Sequence, residues 1–157
     1  MKTWSVPVLL APVLLISLHA GTAWSHSQEK GDIHVRHPWS RATPPGAKVA
    51  VGYMEIRNAG SQPDRLLSAT TAVAQRVEMH VTQRDGEVMK MRQVKAFEIP
   101  PRERFVLRPG GPHLMLVDLV QPLKKGERFP MKLRFERAGE LEIEVEVQEI
   151  GSRQPHH

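Results

Sequence analysis

The chain has 157 residues, 40% of them hydrophobic and 25% charged, which predicts a single domain with its own core. Its formal net charge is +5, but basic and acidic residues are interspersed and no basic stripe carries interleaved aromatics, so nucleic-acid binding is excluded. The absence of cysteine excludes disulfides, thiolate metal sites and blue-copper centres. Any metal must therefore be held by His, Met, Asp or Glu.

The first segment has the features of an export signal. Lys2 gives a positive start, residues 6–18 form an apolar run, and Ala23 and Ser25 supply a small-x-small cleavage pattern. The run covers about 13 residues, whereas a membrane span needs roughly 20. We predict a signal peptide over residues 1–25, a mature periplasmic chain beginning near His26, and, with no Cys after the run, no lipoprotein anchor.

The mature chain is expected to consist of short strands. Residues 26–45 resemble a lead-in with an edge segment. In residues 65–74 the apolar residues follow neither a helical nor a strand periodicity. The strand candidates are residues 49–57, 75–83, 87–94, 105–107, 113–120, 129–136 and 140–149. Such regular spacing predicts an antiparallel β-sandwich over residues 26–150, followed by a short tail over residues 151–157.

A hairpin is predicted around Asp85-Gly86, the strongest turn signal in the chain. If these two residues form the loop, His80 faces Met91 across the two strands, and their Cβ atoms lie about 4.5–5.5 Å apart. Met89 lies on the same face. A three-residue loop would shift the register and break the pairing.

A second imidazole and thioether pair follows the Pro-Gly-Gly-Pro loop of residues 109–112. His113 and Met115 are two residues apart on a predicted strand, so they point to one face, roughly 6.5–7 Å apart. The two pairs could close around one ion if the sheets bring them together, which the residues alone leave open.

Two imidazoles and two thioethers favour Cu(I) over other biological metals. Thioether sulfur is soft, zinc rarely takes Met, and calcium and magnesium prefer oxygen. With His80, Met91, His113 and Met115 filling four positions around one ion, no open position is left for a substrate. The pattern therefore predicts a carrier and not an enzyme.

Structural roles for the same residue types remain an alternative, because Met often fills gaps in cores. Met54, Met79 and Met131 are predicted to be core residues. Met89 is an auxiliary ligand candidate, and the terminal His156 and His157 could take additional copper. An extracellular interaction domain in which the His and Met residues are incidental also stays open.

The spacing of the four candidates resembles the signature of the periplasmic PCuAC copper chaperones. That signature is His, ten residues, Met, twenty-one residues, His, one residue, Met, which His80, Met91, His113 and Met115 match. The resemblance runs from about Trp39 to Val147 and includes the stretches 39–46, 52–53, 57–60 and 110–116.

The resemblance implies a cupredoxin-like Greek-key sandwich with one Cu(I) site near its surface. It implies delivery of copper to the dinuclear centre in subunit II of cytochrome c oxidase, sometimes alongside a thioredoxin-like thiol protein. We expect the protein to be a monomer. Many members have a longer His- and Met-rich tail, which this chain lacks. A copper-buffering or copper-resistance protein without a dedicated acceptor would need the same ligands and is the alternative.

Overall fold

The computed structural model describes residues 27–155, and within this range every regular element is a β-strand. The strands are β1 (Ser27–Lys30), β2 (Ile33–Arg41), β3 (Val49–Asn58), β4 (Asp64–Thr71), β5 (Ala74–Asp85), β6 (Val88–Val94), β7 (Phe97–Ile99), β8 (Arg104–Leu107), β9 (His113–Leu119), β10 (Arg128–Phe135) and β11 (Gly139–Gln148). The prediction of an all-β fold is confirmed. The same residues include no helix of the length and hydropathy that a membrane crossing requires. The predicted signal peptide lies outside the described residues.

The strands follow the order β6-β5-β9-β3-β2-β11-β10-β4-β7, with β1 paired to β2 and β8 to β3. Hairpin neighbours alternate with neighbours from distant parts of the sequence, such as β5 with β9 and β2 with β11, as in a Greek key. The two halves of the folded sheet share one core. One departure from the predicted antiparallel pattern exists among these strands, because β11 runs parallel to β2. The cupredoxin-like sandwich is otherwise as expected.

The core is built by period-2 alternation. In β11, the apolar side chains of Leu141, Ile143, Val145 and Val147 are buried, while the glutamates between them point outward. The core also contains the three methionines predicted to be there, with exposed fractions of 7% or less: Met54, Met79 and Met131.

The prediction that residues 26–45 form a lead-in with an edge segment is wrong. β2 lies inside the sheet, between β3 and β11. Pro38 is tolerated there because the ladder is interrupted: the β2–β3 register shifts between Arg36 and Trp39, and His37 adopts a positive φ of 47°.

The predicted register of the β5–β6 hairpin is also wrong, by two residues. Asp85 pairs with Val88, so the turn is Gly86-Glu87, and Gly86 takes its first position with a φ of 63°. As a result Thr82, not His80, faces Met91. A shift of two residues preserves side-chain parity, so Met91 stays on the sheet face that carries His80.

Candidate metal site

The site candidates lie on the outer face of β5, β6 and β9. In β9 the side chains alternate, with Leu114 and Leu116 fully buried in the core and His113 and Met115 on the opposite face. Because β9 is bracketed by β5 and β3, this outer face is continuous with that of β5. The fold thus brings residues from two separate parts of the sequence onto one surface.

His80 and His113 are directly opposed in the β5–β9 ladder. Their ring centroids are 5.7 Å apart, and the ring planes are inclined by 25°. This contact was not predicted, since the sequence does not reveal that β5 pairs with β9. It makes a pair of imidazoles, and not an imidazole and a thioether, the centre of the candidate site.

The loop before β9 fixes the orientation of one ring. The Nδ1 atom of His113 lies 2.9 Å from the carbonyl oxygen of Gly111. A carbonyl only accepts, so Nδ1 must carry the proton and donate it. The neutral ring therefore has its lone pair on Nε2, the atom that remains for a metal.

The other ring is held by a carboxylate on its own strand. His80 Nε2 lies 2.9 Å from Oε2 of Glu78, two residues away on the same face. The remaining nitrogen of His80, Nδ1, is buried and makes no hydrogen bond within the described structure. Glu78 also accepts a hydrogen bond from Arg76, which binds Asp118 as well. The hydrogen bond from His80, and then that from Arg76, lower the pKa of Glu78, so this carboxylate is ionised at neutral pH.

The two candidate methionines approach His80 from opposite sides. Met115 lies opposite Glu78 on β9, and Met91 lies opposite Thr82 on β6, so each is a diagonal neighbour of His80. Two strand spacings and four residues separate them, which corresponds to roughly 16 Å between Cα atoms on a flat sheet. Met91 is 61% exposed. Met91 is further than Met115 from His113, because β6 pairs with β5 and not with β9.

Three of the four predicted residues therefore lie side by side, and the fourth stands on the sheet edge. Met89 shares the outer face of the hairpin but lies one step further from His80, opposite Arg84, and is exposed. Within residues 27–155 no three His, Cys, Asp or Glu side chains are arranged to hold a metal ion. The candidate site is not a cluster of these residue types, because half of its proposed ligands are methionine thioethers.

Glu78 was missed by the sequence analysis, although a signal for it existed. A Glu two residues before a candidate ligand on a strand shares its face. Glu144 and Glu146 also lie on the outward face of a strand but form ion pairs with Arg128, so a glutamate on an outer face does not by itself single out Glu78.

These observations define a class, a cupredoxin-like β-sandwich domain whose outer sheet face gathers His and Met side chains beside an edge hairpin. The family described as "Putative lipoprotein LpqE-like" matches residues 33–147. Among solved structures, the copper-bound PCuAC domain from PmoF2 is 33% identical with a TM-score of 0.71, covering 80% of this chain and 99% of that domain. The chain therefore belongs to the LpqE-like family of PCuAC domains.

Two further relatives support this assignment. The solution structure of CuI-DR1885 from Deinococcus radiodurans is 29% identical with a TM-score of 0.60, covering 71% of this chain and 75% of that one. "Putative lipoprotein Lxx21020" from Leifsonia xyli subsp. xyli (strain CTCB07) is 26% identical over 152 residues, which make up 96% of this chain and 90% of that protein.

Proposed function

We propose that this protein binds one Cu(I) ion through His80, Met91, His113 and Met115 and passes it to another protein outside the cytoplasm. It acts as a carrier and not as an enzyme. The observation that carries the proposal is the opposed pair of imidazoles on β5 and β9, each with one ring nitrogen already engaged by the protein. The second nitrogen of each ring is left for a metal.

The chemistry of the face favours monovalent copper. Met115 beside the His pair, and Met91 from the hairpin, add soft, uncharged sulfur. Among the similar structures, one is a copper-bound domain and another is the Cu(I) form of its protein. Four neutral ligands leave the complex with the single positive charge of the ion, which a surface position tolerates better than a buried one.

The unequal exposure of the ligands suggests an order for copper release. Met91 is 61% exposed on the edge strand, whereas His113 is 6% exposed and anchored by Gly111. An incoming Cys, Met or His of an acceptor would therefore displace Met91 first and the imidazole of His113 last. Stepwise exchange of this kind never releases a free ion.

The acceptor that the PCuAC resemblance suggests is the dinuclear copper centre in subunit II of cytochrome c oxidase, with a thioredoxin-like thiol protein as a second partner. Both would act in the periplasm, which the predicted signal peptide of residues 1–25 would allow this chain to reach. On this proposal the protein works as a monomer.

A transfer experiment tests the proposal. Copper-loaded protein is mixed with the apo copper domain of oxidase subunit II, the two are separated, and copper is measured in each. We expect copper in the acceptor, and no transfer from the His113→Ala/Met115→Ala variant after the same loading step. Copper that stays on the wild-type carrier would contradict delivery and favour the buffering alternative.

A further inference from the structure

We propose that Glu78 is a positioning residue for the copper site: it holds the proton of His80 on Nε2, so that His80 presents Nδ1 to Cu(I). This inference deepens the proposed function and rests on it. The residues concerned lie on one strand and one face, Glu78 and His80 of β5.

The first step is the hydrogen bond between the two side chains. His80 Nε2 and Glu78 Oε2 are 2.9 Å apart. An ionised carboxylate has no proton to give, so Nε2 must be the donor. A neutral imidazole carries a single proton, and the lone pair of His80 is therefore on Nδ1.

The second step is the environment of that lone pair. The Nδ1 atom of His80 is buried and has no hydrogen-bond partner in the described structure. A buried polar atom without a partner is unfavourable and calls for an explanation. A metal bound at Nδ1 supplies one, because it would use the atom that the protein leaves unpaired.

The third step is the support behind Glu78. Arg76 Nε binds Oε1 of Glu78 at 3.0 Å, which leaves Oε2 for His80, and Arg76 also binds Asp118 on β9. The carboxylate is thus held at both oxygens and cannot rotate away without losing a charged partner. Its negative charge lies on the Nε2 side of the imidazole, across the ring from Nδ1.

The two imidazoles would consequently bind through different atoms. His113 offers Nε2, because Gly111 holds its Nδ1, and His80 offers Nδ1, because Glu78 holds its Nε2. Outer partners of this kind fix the tautomer and the ring orientation of a ligating His, and their removal typically weakens metal binding about 10–100-fold.

The test compares Glu78→Gln with Asp118→Asn. Both variants neutralise one carboxylate of the Arg76 network, but only Glu78 touches His80. Asp118 has a positive φ of 57°, which Asn tolerates, so the control adds no backbone strain. Two quantities are measured: the His80 tautomer of the copper-free protein by long-range proton–nitrogen NMR at about pH 8, where an unperturbed imidazole is neutral, and the Cu(I) affinity by competition with a chromophoric chelator.

We expect wild type and Asp118→Asn to show the Nε2-protonated tautomer and the same affinity. Glu78→Gln should show a mixture of tautomers and bind Cu(I) about 10–100-fold more weakly. The same NMR spectra verify that each variant is folded.

An unchanged affinity for Glu78→Gln, with wild type binding Cu(I), would overturn the role of Glu78 and leave the proposed function standing. Equal losses of Cu(I) affinity in both variants would also overturn it, since they would show that the negative charge matters and the contact with His80 does not. Absence of Cu(I) binding by wild type would instead refute the proposed function itself, together with this inference.

Discussion

The two faces of β9 differ in what they contribute, although their residues alternate along one strand. Leu114 and Leu116 point inward and are fully buried, while His113 and Met115 point outward to His80 and Glu78 on β5. The inner face stabilises the fold and the outer face forms the candidate site. Because successive side chains point to opposite sides, a single substitution in β9 can alter either the core or the candidate site without altering the other.

The largest effect is expected on the inner face. Leu114→Ala would lower the free energy of unfolding by about 2–5 kcal/mol, because it removes a fully buried side chain and leaves a cavity. Denaturant unfolding of the copper-free protein measures this change. The Cu(I) affinity of the molecules that remain folded should be unaltered, and a large loss of affinity would show that the two faces are not independent.

The next effect is expected on the outer face. The double variant His113→Ala/Met115→Ala should lose about 100-fold or more in Cu(I) affinity, a change of about 2.7 kcal/mol, because two of four ligands are gone. Its unfolding free energy should fall by only about 1 kcal/mol, through loss of the bond to Gly111. Chelator competition and denaturant unfolding measure the two quantities. Binding as tight as that of wild type would mean that these residues are not ligands.

A smaller effect on Cu(I) affinity is expected for the hairpin, where the substitution of Met91 should matter and that of Met89 should not. Met91→Ala is expected to weaken Cu(I) binding about 10-fold, a change of about 1.4 kcal/mol, and to speed transfer to an acceptor, because the most exposed ligand is missing.

Met89→Ala is the matched control for that variant. The residue has nearly the same exposure, 58% against 61%, but lies further from His80. Stopped-flow transfer and chelator competition would compare the two variants. A Met89→Ala loss equal to that of Met91→Ala would place Met89 among the ligands.

The smallest effect concerns the hairpin turn. Gly86→Ala should cost about 1 kcal/mol of stability, since a φ of 63° is unfavourable for a residue with a Cβ but the added atom would meet nothing within 4 Å. Gly151→Ala, which also meets nothing and has no positive φ, should be neutral by thermal unfolding. A neutral Gly86→Ala would indicate that the turn contributes little to holding Met91.

The sequence predicts those parts of the molecule that local geometry controls. Alternation in β11 gave the buried face correctly, and the spacing of His113 and Met115 placed both on one face. The hairpin register failed because either Asp85 or Gly86 could open the turn, and only the three-dimensional fold selects Gly86.

Local sequence patterns do not predict which strands pair when they are far apart in the chain. Nothing in the sequence shows that β5 lies against β9, so the contact between His80 and His113 could not be derived from spacing. The same is true of the parallel β2–β11 pair and of β2 as an interior strand. Strand geometry and the PCuAC-like spacing both singled out the four candidate ligands, but neither gave their arrangement.

X-ray absorption on the Cu(I)-loaded protein tests the central claim most directly, because it counts the neighbours of the ion. Binding through His80, Met91, His113 and Met115 predicts two nitrogen and two sulfur neighbours, and one sulfur fewer in Met91→Ala. A shell dominated by oxygen, or one without sulfur, would contradict the assignment of these four residues.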